Sequence, residues 1–248
     1  QLKCNWNKEA WSTYLDVGPG TYYIWVSDTS TTGTFEEATV TIEELAGAPP
    51  IGETWTPLLD IDEWCARTPR WRGTDGGTPV IGRHGRDHPL KWPRDRAALR
   101  AAYCADRPCR VHFLGGAARA RARVGRWPRN WRDEAFDARG VREFLADLDV
   151  FVHYPDRDYI EEFGRAVMEA MAVGVPVILP PEFEPTFGPA ALYAEPDGVW
   201  PLVQALWTDR GAWEARVAAG RAFVGAHCGY DVFPARLARS VAVPSGAS

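Results

Sequence analysis

Two acids, Glu161 and Glu169, stand with seven residues between them in a stretch that can hold them in fixed relation. The apolar spacing of Val167, Ala170 and Met171 predicts a helix that begins near Glu162 and is closed by Gly174 as its C-cap. Eight helical residues turn about 800°, so the two carboxylates would lie about 80° apart in azimuth and about 12 Å apart along the axis. That span suits one ligand carrying two sets of hydroxyls better than one metal ion. Carboxylates accept strong hydrogen bonds from vicinal diols. Phe163 and Gly164 would offer unpaired N–H groups at the positive end of the helix dipole. Gly164 would also let a ligand approach the backbone closely.

A second group of residues brings cations. Arg83, Arg86 and Lys91 fall in one glycine- and proline-containing segment, residues 81–93. Fixed cations stabilise a developing negative charge such as a departing diphosphate. Arginine supplies a bidentate fork and lysine a mobile point charge. Arg83 and Lys91 are the first choice, with Arg86 as substitute if the loop folds differently. His84 and His88 are four apart, but Gly85 and Pro89 argue against a helix, so they read as polar loop residues and not as a metal pair. Leu114-Gly115-Gly116 ends an apolar run. Gly115 could admit a ligand or could simply turn the chain.

The elements that must position these residues alternate from residue 79 onward. Short apolar runs at 80–81, 111–114, 150–152 and 177–179, with a further candidate at 191–193, read as strands. Between and after them, residues 95–104, 141–148, 163–173, 199–206, 212–226 and 233–241 read as helices. Uniformly apolar strands separated by amphipathic helices imply a doubly wound α/β fold, with a parallel sheet buried on both faces. Such folds bind ligands beyond the carboxyl ends of their strands. Arg119, Arg121 and Arg123 alternate with alanine and are expected to face solvent.

Residues 1–45 differ in texture, being rich in threonine, tyrosine, valine and isoleucine. Runs at 21–26 and 38–42 read as strands around turn clusters, so an antiparallel β-rich segment is expected. It weakly resembles the closing strands of an immunoglobulin-like or adhesin repeat. Residues 46–78 read as a linker and irregular lead-in, and residues 79–248 as the α/β domain.

Residues 158–178 resemble the E-x-F-G-x-x-x-x-E-A-M-A-x-G-x-P-V-I signature of family 4 (group 1) glycosyltransferases, whose fold is GT-B. The resemblance implies that residues 79–248 are the Rossmann-like, nucleotide-sugar-binding C-terminal half of such an enzyme. It assigns the donor sugar to Glu161, the ribose to Glu169 and the diphosphate to Arg83 and Lys91. Phe163, Gly164, Gly115 and Arg86 fall in the donor-binding set. It further implies hexosyl or related transfer from a nucleotide-diphosphate-sugar to an unidentified acceptor, with retention, and no protein nucleophile. The family needs a second Rossmann-like half, and no βαβ run precedes residue 79.

Composition bounds the alternatives. Residues 66–132 hold sixteen arginines and one lysine against four aspartates, a net of +13, although the whole chain carries −5. That block motivates a basic nucleic-acid-binding module as a second reading, and residues 18–42 motivate a surface structural protein as a third. No strand-borne aromatic platform accompanies the arginines, so no nucleic-acid partner is expected. Peripheral membrane association is compatible with the block. Five scattered cysteines without a CxxC pair fit a reducing, cytoplasmic setting, with no metal and no resident cofactor expected. No signal peptide is evident.

Overall fold

The computed structural model describes residues 2–4, 14–15, 40–42, 56–66, 69–159 and 164–241. The chain divides into two compact units, Gln1–Trp55 with Arg236–Ser248, and Thr56–Ala235. In the first, β1 (Leu2–Cys4) pairs antiparallel with β2 (Tyr14–Leu15) on one side and β3 (Val40–Ile42) on the other. The strand expected at 38–42 is β3; the one expected at 21–26 lies outside the described residues.

The second unit opens with α1 (Ile61–Cys65), capped by the Asp60 side chain, which accepts from the Glu63 N–H. Then follow β4 (Val80–His84), α2 (Arg96–Ala102), β5 (Arg110–Leu114), α3 (Ala118–Val124), β6 (Trp131–Glu134) and α4 (Val141–Ala146). The second half continues through β7 (Val150–Val152), α5 (Arg165–Val173), β8 (Val177–Leu179), α6 (Glu184–Phe187) and β9 (Leu192–Tyr193). Helices α7 (Val199–Thr208), α8 (Arg210–Cys228) and α9 (Val232–Val241) close the described chain.

The sheet has six strands in the order β6-β5-β4-β7-β8-β9, and every pairing is parallel. The chain walks outward from β4 to β6, then returns to β7 beside β4 and walks the other way. The junction of β4 and β7 is therefore the topological switch point, where open α/β sheets bind ligands. The predicted α/β class and the five predicted strands are all present.

Side chains alternate across this sheet and build a core on each face. One face carries Phe144, Phe151, Val167 and Met171 under α4, α5 and α8. The other carries an aromatic cluster under α2, α3 and α7. There Phe113 lies edge-on to Trp92 at 5.1 Å, to Tyr103 at 5.3 Å and to Trp131 at 5.3 Å. Such edge-to-face pairs add stabilisation beyond area burial.

Within residues 46–78, read as a linker and irregular lead-in, the described residues 69–78 contribute to this packing. The Trp71 indole donates to the Leu206 carbonyl, and Arg72 pairs with Asp149. The sixth strand, β6, was not expected, because Trp-Arg-Asp-Glu carries one apolar residue in four. It lies at the sheet edge, where charged side chains can meet solvent and block further pairing.

The expected solvent face of α3 is corrected at one of its three arginines, since Arg119 and Arg121 are exposed and Arg123 is not. Arg123 turns inward and donates to the carbonyls of Pro89 and Trp92 at 2.8 and 2.9 Å. Arg121 is exposed, but it stacks on the Trp127 ring at 3.8 Å and pairs with Asp133 at 2.7 Å. The same Nη1 of Arg123 also reaches the Pro93 carbonyl at 3.4 Å, so Arg123 ties α3 to the loop that follows β4.

Candidate functional site

The carboxyl ends of β4, β5 and β7 bring together most of the residues singled out from the sequence. On β4 the alternation sends Arg83 and His84 to opposite faces. Arg83 is 2% exposed and lies 3.9 Å from the centre of the Trp92 ring. Its Nη1 donates to the Lys91 carbonyl at 2.6 Å, while Nη2 has no hydrogen-bond partner among the described residues. Arg83 thus clamps the loop that carries Lys91.

Lys91 ends a short 3-10 turn, Pro89–Lys91, whose first residue is fixed by proline. The Leu90 carbonyl accepts from the Asp156 N–H at 2.9 Å, tying this turn to the loop after β7. The Lys91 ammonium lies 5.8 Å from the Tyr159 ring centre. Asp87 secures the other side of the loop, accepting from the Trp92 indole at 2.8 Å and from the Arg119 N–H at 3.0 Å. Arg86 is exposed, and its side chain has no partner among the described residues.

His84 is not a loop residue. It ends β4, is buried, and places Nε2 3.1 Å from Oε2 of Glu169 on α5. The contact is close but poorly angled for a linear hydrogen bond. Arg165, one turn earlier on α5, donates from Nε to Oε1 at 2.9 Å. Burial opposes ionisation of Glu169, yet the contacts and charges of His84 and Arg165 outweigh it and hold the carboxyl below its usual range. Each carboxylate oxygen keeps a lone pair for a further donor. His88 caps the 3-10 turn, its Nδ1 accepting from the Leu90 N–H at 3.3 Å.

Helix α5 starts later than expected. Gly164 is its N-cap at φ 73°, and the first helical residue is Arg165. A left-handed residue breaks the helix, so the azimuth and spacing computed for a helix running from Glu162 do not apply across it. Gly164 itself is buried at the mouth of α5. Glu161 and Phe163 lie outside the described residues.

Gly115 is also explained by the chain itself. It adopts φ 109°, and a Cβ there would stand 2.1 Å from the Gly85 carbonyl oxygen. Its N–H and that of Gly116 both donate to the Glu134 carbonyl, at 3.0 and 2.9 Å, so neither is an idle donor. Gly115→Ala combines a disfavoured backbone with a backbone clash. The expected cost is roughly 2–4 kcal/mol, read as a fall in urea midpoint. A loss under about 0.5 kcal/mol would show that this turn relaxes freely.

Two features escaped the sequence reading. The His84–Glu169 pair could have been found by strand alternation, since residues that follow each other on β4 must face opposite layers. Phe136 carries no periodic signal; it is 56% exposed and sits beside the Gly115 turn.

No protein-family model and no curated protein matches this chain. Solved structures do. The chain is similar to HepE from Anabaena, solved with UDP and glucose, at 14% identity and a TM-score of 0.56, covering 74% of this chain and 55% of that one. It is similar to sucrose-phosphate synthase from Thermosynechococcus elongatus at 17% identity and a TM-score of 0.52, covering 74% and 50%. A glycosyltransferase from Rickettsia africae matches at 15% identity and a TM-score of 0.54, covering 77% and 57%. The chain thus spans about half the length of these proteins. At such identities the likeness shows a shared fold, the Rossmann-like parallel sheet flanked by helices.

Proposed function

We propose that Thr56–Ala235 is the donor-binding unit of a glycosyltransferase of the family 4 type, taking a nucleotide-diphosphate-sugar at the carboxyl ends of β4, β5 and β7. The observation that carries this reading is the buried Glu169 of α5, held below its usual carboxyl range and in contact with His84, the residue that follows the Arg83 clamp on β4. In this reading Glu169 accepts from the ribose hydroxyls. Arg83 and Lys91 meet the diphosphate, with Arg86 within the same loop, and Glu161 meets the sugar. The fold neighbour HepE was solved with UDP and with UDP-glucose, which supports a nucleotide-sugar ligand for this fold.

The chemistry asked of the protein is modest. As the bond from sugar to diphosphate lengthens, negative charge grows on the departing phosphate. Arg83 and Lys91 stabilise that charge in place, without a resident metal or cofactor. Arg83 acts from beneath the loop, its buried guanidinium lying against Trp92 and Tyr103 and holding the Lys91 carbonyl, while Lys91 is the cation carried on the loop itself. Phe136 offers an exposed ring beside the Gly115 turn for a base to lie against. The reaction retains configuration and proceeds toward an acceptor that a second half of the protein would present. Among the described residues no helix is long and apolar enough to cross a membrane.

Calorimetric titration of the chain with UDP-, GDP- and ADP-sugars tests the reading. One nucleotide series is expected to bind saturably at one site. A folded chain that binds none of the three would overturn it.

A further inference from the structure

The basic block read from the sequence is not consumed by the donor site. Much of it gathers at the other end of the sheet, near the amino ends of β5 and β6. There a concavity of about 480 Å³ is lined by Arg100, Asp106, Arg126, Trp127, Pro128 and Arg129. Three guanidinium groups face one carboxylate, a local net of +2. Asp106 is already engaged, since it pairs with Arg100. Arg126 and Arg129 are exposed, and among the described residues neither side chain has an acceptor.

The walls of this concavity are braced. Arg100 Nη1 donates to the Arg126 carbonyl at 3.3 Å, which ties the end of α2 to the loop after α3. Trp127 is held on both sides: its Nε1 donates to the Trp131 carbonyl at 3.1 Å, and Arg121 stacks on its ring. The rim that carries Asp106 contains two non-glycine residues in the left-handed region, Cys104 at φ 46° and Asp106 at φ 61°. Asn130 holds both, accepting from the Asp106 N–H at 3.1 Å and donating to the Cys104 carbonyl at 2.9 Å. Strain of this kind persists only where surrounding bonds enforce it, and it concentrates at binding sites.

We infer that this concavity is a second anion site, which takes a phosphoryl group between Arg126, Arg129 and Arg100. Planar guanidinium forks match phosphate oxygens in pairs, and a phosphomonoester dianion matches the local charge. The phosphoryl group can belong to a soluble metabolite or to a lipid headgroup. The site is separate from Arg83 and Lys91, which lie at the carboxyl ends of the strands.

The test is a titration of the whole chain, labelled with ¹⁵N-arginine, with inorganic phosphate. Saturable shifts are expected in the Nε–Hε signals of Arg100, Arg126 and Arg129. The double substitution Arg126→Gln with Arg129→Gln alters two exposed side chains and so leaves the fold intact. It should weaken phosphate binding at Arg100 roughly tenfold or more. A second arm measures flotation with phosphatidylcholine vesicles containing phosphatidic acid, whose headgroup is a phosphomonoester. Flotation lost in the double variant assigns the phosphoryl group to a lipid, and phosphate saturation without flotation assigns it to a soluble ligand. Phosphate that perturbs only Arg83, or shifts that survive the double substitution, would overturn the site. So would a DNA oligonucleotide that binds these arginines more tightly than phosphate or vesicles, since the surface would then be a nucleic-acid one.

Discussion

Glu169→Ala is expected to weaken binding of a free nucleoside diphosphate tenfold to about a hundredfold, whereas Glu161→Ala should leave that ligand nearly unaffected and weaken only its sugar conjugate. A hydrogen bond to a charged group contributes roughly 1.5–3 kcal/mol, which sets the range for Glu169. The contrast follows from place. Glu169 stands on α5 between the His84 imidazole at 3.1 Å and the Arg165 guanidinium at 2.9 Å, which hold its carboxyl below the usual range despite burial. Glu161 precedes the left-handed Gly164 and is assigned to the sugar alone.

A structural role for Glu169 predicts something else. If it only pins His84 and Arg165, its loss lowers thermal stability and leaves both affinities alone. Glu169→Gln separates the cases further, because the amide keeps one acceptor oxygen while losing the charge. Its affinity for the diphosphate should fall between those of the parent and the alanine variant. Calorimetry with diphosphate and diphosphate-sugar on all three variants decides it. Unchanged affinities in Glu169→Ala would remove the ribose assignment.

The sheet was legible because its strands are buried on both faces. Val150-Phe151-Val152 and Val177-Ile178-Leu179 carry no polar residue, a pattern that a half-exposed strand does not show. β6 was illegible for the opposite reason: its pairing with β5 is made by backbone groups, and its side chains give no alternation. The start of α5 was misplaced because glycine is silent about the sign of φ; only the fold sets Gly164 at 73°. Periodicity likewise says nothing of backbone carbonyls, which is how Arg123 came to be read as solvent-facing. Within the site, the cationic loop and Glu169 were visible as residue types. Their mutual arrangement was not, because the Arg83 clamp on the Lys91 carbonyl is a contact made after folding.

A large stability effect is also expected at Asp149, at the amino ends of β4 and β7 and so away from the candidate site. This carboxylate is 4% exposed and accepts three hydrogen bonds. Arg72 donates Nε to Oδ1 at 2.8 Å and Nη2 to Oδ2 at 2.6 Å, and the Val80 N–H donates to Oδ2 at 2.7 Å. The Asp149 backbone joins the same knot: its N–H donates to the Val80 carbonyl at 2.8 Å, and its carbonyl accepts from the Trp213 indole at 3.2 Å. One residue therefore fastens the starts of β4 and β7, which are the strands that flank the switch point. Asp149→Ala would leave a buried Val80 N–H without a partner and free the guanidinium. The Arg72 side chain is 33% exposed and can turn to water, which limits the loss. The expected cost is about 2–4 kcal/mol, measured as a lower urea midpoint at unchanged slope. Asp149→Asn keeps one acceptor and should cost less than half as much. Arg72→Ala should also destabilise by more than 1 kcal/mol or so, since it leaves a buried carboxylate with one backbone donor. If Arg72→Ala proved neutral while Asp149→Ala did not, the Val80 bond alone would hold the strands in register. Residues 56–78 would then pack on the sheet without bracing it.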